Sequence, residues 1–291
     1  MLSLNTNAAA LSTQTALANS QKALTTSMTR LGTGYRVNSA MDDAAGLQIA
    51  TRLNSQTRGM AVAQKNTQNG ISMMQTAEGA FSEVTDILQR MKDLATEAAN
   101  GTSSVDDQTA MQSEYDALGQ ELGNIMNNTT FGGAKLLKGG TIAGSVTFQI
   151  GASASETMTV NQTTNMTTLD TKLGAASANY TAAATGTEIS GATAAAGVTA
   201  ANATITKLED ALTAVGTVRS ALGAASNRLD HVYNNLGNMS TNTSAAKGRI
   251  MDVDYATETS NMTAKQMLLQ AGTSMLKQSS SMSQMVLSLM Q

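Results

Sequence analysis

The chain has 291 residues, a formal net charge of −3, 13% charged and 3% aromatic residues, and no Pro, Cys or Trp. Phosphate binding needs a dense basic surface, and no Lys/Arg cluster stands above background, which argues against a nucleic-acid partner. No apolar run reaches the length of a membrane span, and no apolar core follows the first charged side chain, Lys22; neither a membrane partner nor a cleaved secretory signal is expected.

The apolar bulk is Leu, Ala and 19 Met, all strong helix formers, which predicts long helices packed side by side. Residues 1 to about 31 read as an amphipathic helix, with Leu4, Leu11 and Ala18 recurring every seven residues and Leu17, Leu24 and Leu31 in a second row. The glycine-bearing break LGTGYRVNSAMDDAAG follows. Three-four spacing then resumes from Ile49 and Leu53 through Met60, Met74, Phe81, Leu88 and Met91 to Ala98. Roughly 55 residues of helix span about 80 Å, and Asn100-Gly101 reads as the stop. A shorter helix carries Met111, Tyr115, Leu118, Leu122 and Ile125.

From Asn127 the pattern changes. Val146, Phe148 and Ile150 alternate as a strand does, Met158 and Val160 suggest its partner, and GASASE connects them. Residues 161 to about 200 are Thr, Ala, Gly and Asn with few large apolar groups, and are expected to form a small exposed excursion or to be partly mobile. Helical order returns at Ile205, Leu208, Leu212, Val215, Leu222, Leu229, Tyr233 and Leu236. After Lys247, GRIMDVDYATE breaks the register and a terminal helix begins, in which Leu268, Met275, Met282 and Leu289 repeat every seven residues beside Leu269 and Leu276.

The fold expected is mainly α: long antiparallel helices forming a coiled-coil inner core and a helical bundle shell, with a small β-hairpin and a short variable excursion. Its parts are an N-terminal inner helix with a connecting spoke (1–40), the first part of the bundle with the hairpin (41–165), a variable surface segment (166–200), the second part of the bundle (201–248), and a spoke with the C-terminal inner helix (249–291). Off their seams the terminal helices are polar or small and almost uncharged. Most helical stability comes from packing, so a hairpin of the two ends alone should be marginal, and neighbouring copies would supply the missing cover. Few charges also let identical copies approach closely.

Few side chains invite a chemical role. His231, the single histidine, reads as a solvated helix position, and metal sites favour clusters that are missing here. Asp42-Asp43 and Asp252/Asp254 flank chain breaks, where Asp caps helices and steadies turns. No HExxH occurs, and Gly32-Thr33-Gly34 has no strand before it to make a phosphate loop. No catalytic residue, metal or cofactor is expected. The methionines at helical spacing read as core that fills irregular gaps between subunits rather than as a promiscuous binding face.

Several long stretches resemble the bacterial flagellins. LGTGYRVNSAMDDAAGLQIA (31–50), NGISMMQTAEGAFSEVTDILQRMKDLATEAANGT (69–102) and FQIGASASETMTV (148–160) are similar to the family's N-terminal signature. LGAASNRLDHVYNNLGN (222–238), RIMDVDYATETSNMTAKQMLLQAGTSML (249–276) and VLSLMQ (286–291) are similar to its C-terminal one. The resemblance covers about 1–165 and 200–291, with Met41, Met251 and Val253 as departures.

This resemblance implies a non-enzymatic, extracellular subunit that polymerises into the flagellar filament for motility, exported unfolded by a type III apparatus without a cleaved signal. It implies self-assembly through Leu4, Leu11, Leu17, Leu24, Leu268, Leu269, Met275, Leu276, Met282 and Leu289. The partners implied are further copies of the chain, the flagellar cap and hook–filament junction proteins, and an export chaperone on the C-terminal helix. The outer domain of larger flagellins is minimal or missing here. LQRMKDLA is also similar to the patch by which many flagellins meet a Toll-like innate immune receptor, which carries over to Leu88, Gln89, Arg90 and Leu94, with Glu114 on the next helix. The plain alternative for that patch is that Leu88 and Leu94 pack while Arg90 serves the filament. Alternatives for the whole chain are a hook–filament junction protein and a secreted coiled-coil ligand acting as a monomer.

Overall fold

The computed structural model describes the backbone of residues 7–182 and 184–289 and the side chains of that range up to residue 281. Chain breaks with good capping chemistry delimit the helices. Helix α1 (Ala8–Thr33) starts where the Asn7 side chain accepts from the Ala10 N–H at 3.0 Å, and ends on Gly34, whose φ of 76° suits a residue without Cβ. Helix α2 (Ala44–Ala98) begins after Asp43, whose carboxylate accepts from the Gly46 N–H at 2.8 Å. Helix α3 (Val105–Asn128) opens on a capping box, with Ser104 and Asp107 each bonding the other's backbone.

Two small antiparallel hairpins follow, β1 (Thr130–Phe131) with β2 (Ala134–Lys135), and β3 (Ser145–Gln149) with β4 (Thr157–Asn161). The second pairs Val146 with Val160 and Phe148 with Met158, in keeping with the alternation in the sequence. Helix α4 (Thr163–Ala176) and a single 3₁₀ turn (Ala178–Tyr180) lead to α5 (Ala194–Met251), and α6 (Tyr255–Leu289) closes the chain. The fold is thus mainly α with small hairpins.

The chain divides into two compact units. One comprises the chain up to Thr57 together with the chain from Thr241; the other is Arg58–Ser240. The second unit holds the large core. Phe81, Leu88 and Met91 of α2 are fully buried, with Tyr115 and Leu122 of α3 and Leu208, Val218, Leu222 and Leu229 of α5. The β3–β4 hairpin lies close over α2. A Cβ at Gly70 would meet Phe148 at 2.9 Å and one at Gly59 would meet Ala152 at 2.7 Å, so glycine is what permits this approach.

The segment 166–200 is not an exposed excursion, contrary to what its composition suggests. Met166, Leu169, Leu173, Ala176, Tyr180 and Ile189 are all buried in the same core. Polar side chains of α3 hold the rest of the segment. Gln112 donates to Glu188 at 2.9 Å and accepts from the Ile189 N–H at 2.8 Å, and Asp116 accepts from the Gly186 N–H at 3.0 Å. Tyr115 donates to the Ala176 carbonyl at 2.7 Å, and burial pushes its phenol well above the usual range. A Cβ at Gly123 would meet the Tyr180 carbonyl oxygen at 2.8 Å, so α3 offers a small-residue face to this turn.

Leu173→Ala should therefore cost about 2–5 kcal/mol, as for other buried leucines, read from urea unfolding. Exposed Thr171→Ala on the same helix should stay within about 0.5 kcal/mol. Equal, small effects would mean that the segment is loose after all.

Candidate assembly surface

In the first unit α1 and α6 run antiparallel. Asn7 donates its side-chain amide to the Ser279 carbonyl (3.3 Å) and hydroxyl (3.1 Å) at one end. Midway, a Cβ at Gly272 would meet Leu17 Cδ1 at 3.0 Å. At the other end the Arg30 guanidinium lies 3.8 Å from the carboxylate of buried Glu258. The half-buried and buried positions step by three and four through Thr13, Leu17, Ser20, Leu24, Ser27 and Leu31 on α1, and through Met262, Lys265, Leu269, Gly272, Leu276 and Ser279 on α6. Large and small side chains alternate along this seam.

The predicted residues part into two sets. Leu17, Leu24, Leu269 and Leu276 lie half-buried in the seam. Leu11, Leu268 and Met275 do not join it, being 62%, 53% and 64% exposed. Leu4 lies outside the described residues, as do the side chains of Met282 and Leu289. The seven-residue rows thus do not form one seam. Adjacent positions on a helix point about 100° apart, so the row of Leu268 and Met275 faces away when that of Leu269 and Leu276 faces α1. Sequence reasoning missed Met28 and Met267, which are also exposed, and the Arg30–Glu258 pair. Neither falls on a seven-residue repeat of large apolar groups.

The two breaks meet beside the helix pair. Tyr35 and Asp252 form an antiparallel bridge, the Arg36 N–H donates to the Met251 carbonyl at 2.6 Å, and the Val253 N–H donates to the Gly34 carbonyl at 3.1 Å. The acidic residues here cap and brace. Asp42 accepts from the Ser39 and Asn38 N–H groups at 2.9 and 3.1 Å, and Asp254 accepts from the Thr257 hydroxyl at 2.8 Å and the Ala256 N–H at 3.0 Å. These bonds hold both carboxyls below the usual carboxylate range. Their contribution is complete above that range and fades only as acid approaches the lowered values.

In the second unit Leu88 and Leu94 belong to the core, so of the proposed receptor patch only Gln89, Arg90 and Glu114 reach the surface. The reason is register: the buried stripe of α2 passes through 84, 88, 91, 94, 95 and 98 and leaves 89 and 90 outside. Arg90 Nε and a terminal nitrogen sit 2.8 and 2.7 Å from a Glu114 carboxylate oxygen. His231 is exposed on α5. Among the described residues no three His, Cys, Asp or Glu side chains cluster to hold a metal, and no helix is long and apolar enough to cross a membrane.

The model of the bacterial flagellin N-terminal helical region matches residues 4–141, and that of the flagellin C-terminal helical region matches 205–290. The chain belongs to the bacterial flagellins. Flagellin B of Vibrio anguillarum is 35% identical over 376 aligned positions that cover 99% of each chain. Flagellin A of Vibrio cholerae is 35% identical over 381 positions that cover all of both. Among solved structures, a putative flagellar hook-associated protein from Vibrio parahaemolyticus shares the fold at 15% identity and a TM-score of 0.53, over 72% of this chain and 100% of that one. A Bacillus cereus flagellin is 29% identical, with a TM-score of 0.45, over 63% of this chain and 94% of that one. This flagellin is a structural subunit that self-assembles into the extracellular flagellar filament, and its family is one of structural proteins.

Gly34→Ala should destabilise the bridge region of this flagellin. It places a side chain at positive φ, costing about 1–2 kcal/mol, and sets a Cβ 2.9 Å from the Tyr255 hydroxyl. Gly32→Ala, with nothing within 4 Å, should instead gain a few tenths to about 1 kcal/mol from helix propensity. Amide hydrogen exchange of residues 30–36 distinguishes the two.

Proposed function

We propose that α1 and α6 form the self-assembly element, in which the two leucine rows have different tasks. Leu17, Leu24, Leu269 and Leu276 join the chain's own ends. Leu11, Leu268 and Met275, with Leu4, Met282 and Leu289, meet neighbouring copies. The observation that carries this reading is the row of large apolar side chains left in water on an almost uncharged helix pair. Burying one such side chain is worth roughly 1.5–3 kcal/mol, and each copy repeats the row. Low charge keeps like charges from being pressed together in the polymer.

On the same reading the chain is exported unfolded, without a cleaved signal. Its α6 is held by an export chaperone until assembly, and the filament it joins lies between hook–filament junction proteins and the cap. An exposed apolar helix face is the chemistry a chaperone groove recognises.

Replacing Leu11 and Met275 together by Ser tests the division. Both side chains are exposed, so unfolding of the lone chain should change by at most about 0.5 kcal/mol per site. The critical concentration for growth on sheared seeds should rise roughly a hundredfold, by lost burial. Growth at the unmodified rate, followed by sedimentation and electron microscopy, would remove these residues from the assembly surface.

A second reading concerns Arg90. Its guanidinium stands paired with Glu114 on an exposed face, a ready anchor for a Toll-like innate receptor on the free subunit, flanked by Gln89. Arg90→Ala should cut the response of receptor reporter cells roughly tenfold, since bonds to a charged group are worth about 1.5–3 kcal/mol. The fold should hardly respond, because surface ion pairs contribute little. An undiminished response excludes Arg90 from the site.

A further inference from the structure

With 19 Met and no Cys, methionine carries all the sulfur chemistry of this chain. Placement divides these thioethers sharply. Met60, Met74 and Met91 are buried, whereas Met275, Met267 and Met28 are 64%, 61% and 57% exposed and Met41 is 93% exposed. Met28 lies on α1, and Met267 and Met275 lie on α6 either side of Leu268. No thiol is present to intercept an oxidant first.

We propose that Met28, Met267 and Met275 are oxidation sites through which peroxide-class oxidants disable the free subunit for assembly. The inference rests on the reading of α1 and α6 as the assembly surface. Hydrogen peroxide transfers one oxygen to the thioether sulfur. An S–O bond forms as the O–O bond breaks, sulfur gives up two electrons, and the peroxide leaves as water. The sulfoxide is polar and a strong hydrogen-bond acceptor, set into a surface that was apolar. Covered by a neighbouring copy, it would need a donor. The hydroxyls of a neighbour's α1–α6 face have little to give, because they already donate within their own helices: Thr263 to the Thr259 carbonyl, Ser274 to that of Gln270, Thr25 to that of Gln21. Once a subunit is inside the polymer the same sulfurs are covered, so oxidation acts before assembly and spares the finished filament.

The test exposes the dilute full-length chain briefly to hydrogen peroxide and locates added oxygen by peptide mass spectrometry. Met28, Met267 and Met275 should gain oxygen while Met60, Met74 and Met91 do not, and growth on untreated seeds should fall roughly tenfold or more. Methionine sulfoxide reductases with a dithiol reductant should restore it. A chain carrying Met28→Leu, Met267→Leu and Met275→Leu, whatever its untreated rate, should lose a far smaller share of that rate on treatment than the parent does, with Met282 of the same row still present. Met41 remains in this variant, so a variant as sensitive as the parent would overturn the assignment, as would full growth by a chain oxidised at all three positions. If the Leu11→Ser/Met275→Ser chain assembles normally, the assembly reading itself has failed. If it is defective but oxidation has no effect, only the present inference has.

Discussion

Everything distinctive in this molecule follows from how narrow the contact between α1 and α6 is. Two helices can bury one stripe each against one another. Here that stripe is thinned further by Ser20, Ser27, Gly272 and Ser279, which alternate with the leucines. Small residues bring the axes together, as Leu17 against Gly272 illustrates, and so they limit the area each pair covers. A helix pair of this kind satisfies its own geometry but leaves the adjacent apolar row in solvent. The incompleteness is a property of the single chain, and on the assembly reading proposed above the polymer is its physical complement.

The second unit solves the opposite problem. It has three elements to set against α2 instead of one, and it closes its core with Phe81, Tyr115 and a mixture of Leu, Met and Ala. Several of its buried polar groups find partners inside it: Gln108 donates to the Ala98 and Ala194 carbonyls, and Gln112 bridges Asp116 and Glu188. Ion pairs such as Arg219–Glu78 and Lys172–Asp210 lie on its surface, where charge aids solubility and contributes little to stability. Charge is sparser along α1 and α6, whose charged side chains are Lys22, Arg30, Glu258, Lys265 and Lys277.

Some of this could be read directly from the residues. The long helices announce themselves because Met60, Met74, Phe81, Leu88 and Met91 keep helical spacing over many turns, and the β3–β4 hairpin because Val146, Phe148, Met158 and Val160 alternate. The segment after β4 was harder. Met166, Leu169, Leu173, Ala176 and Tyr180 do keep three-four spacing, but Thr and Ala between them lower the average hydropathy. Its other anchors, Gln112 and Asp116, are polar and distant in sequence, so no apolar pattern could reveal them. In the terminal helices the sequence shows two neighbouring leucine rows but not which one the partner covers. That choice depends on register, set by long-range pairs such as Asn7 with Ser279 and Arg30 with Glu258. The innate-receptor patch suffered from the same ambiguity, since Leu88 and Arg90 are two residues apart and face opposite environments.

The hydroxyl-rich composition also has a physical sense that the leucines alone do not provide. Along α1, Thr13, Thr15, Thr25, Thr26, Thr29 and Thr33 each donate to the carbonyl four residues back, and Thr259, Ser260 and Thr263 do so along α6. A hydroxyl satisfied in this way gives up little when water leaves, because the bond it needs travels with its own helix. Lys or Glu at the same positions would have to be stripped of water or extended past the neighbour, at a cost that grows with every copy added. A surface of Ser, Thr, Ala and isolated Leu or Met is therefore soluble enough for a single chain and dry enough to be buried. On the assembly reading, that double character, more than any single contact, is what lets one helix pair serve both the free subunit and the assembled filament.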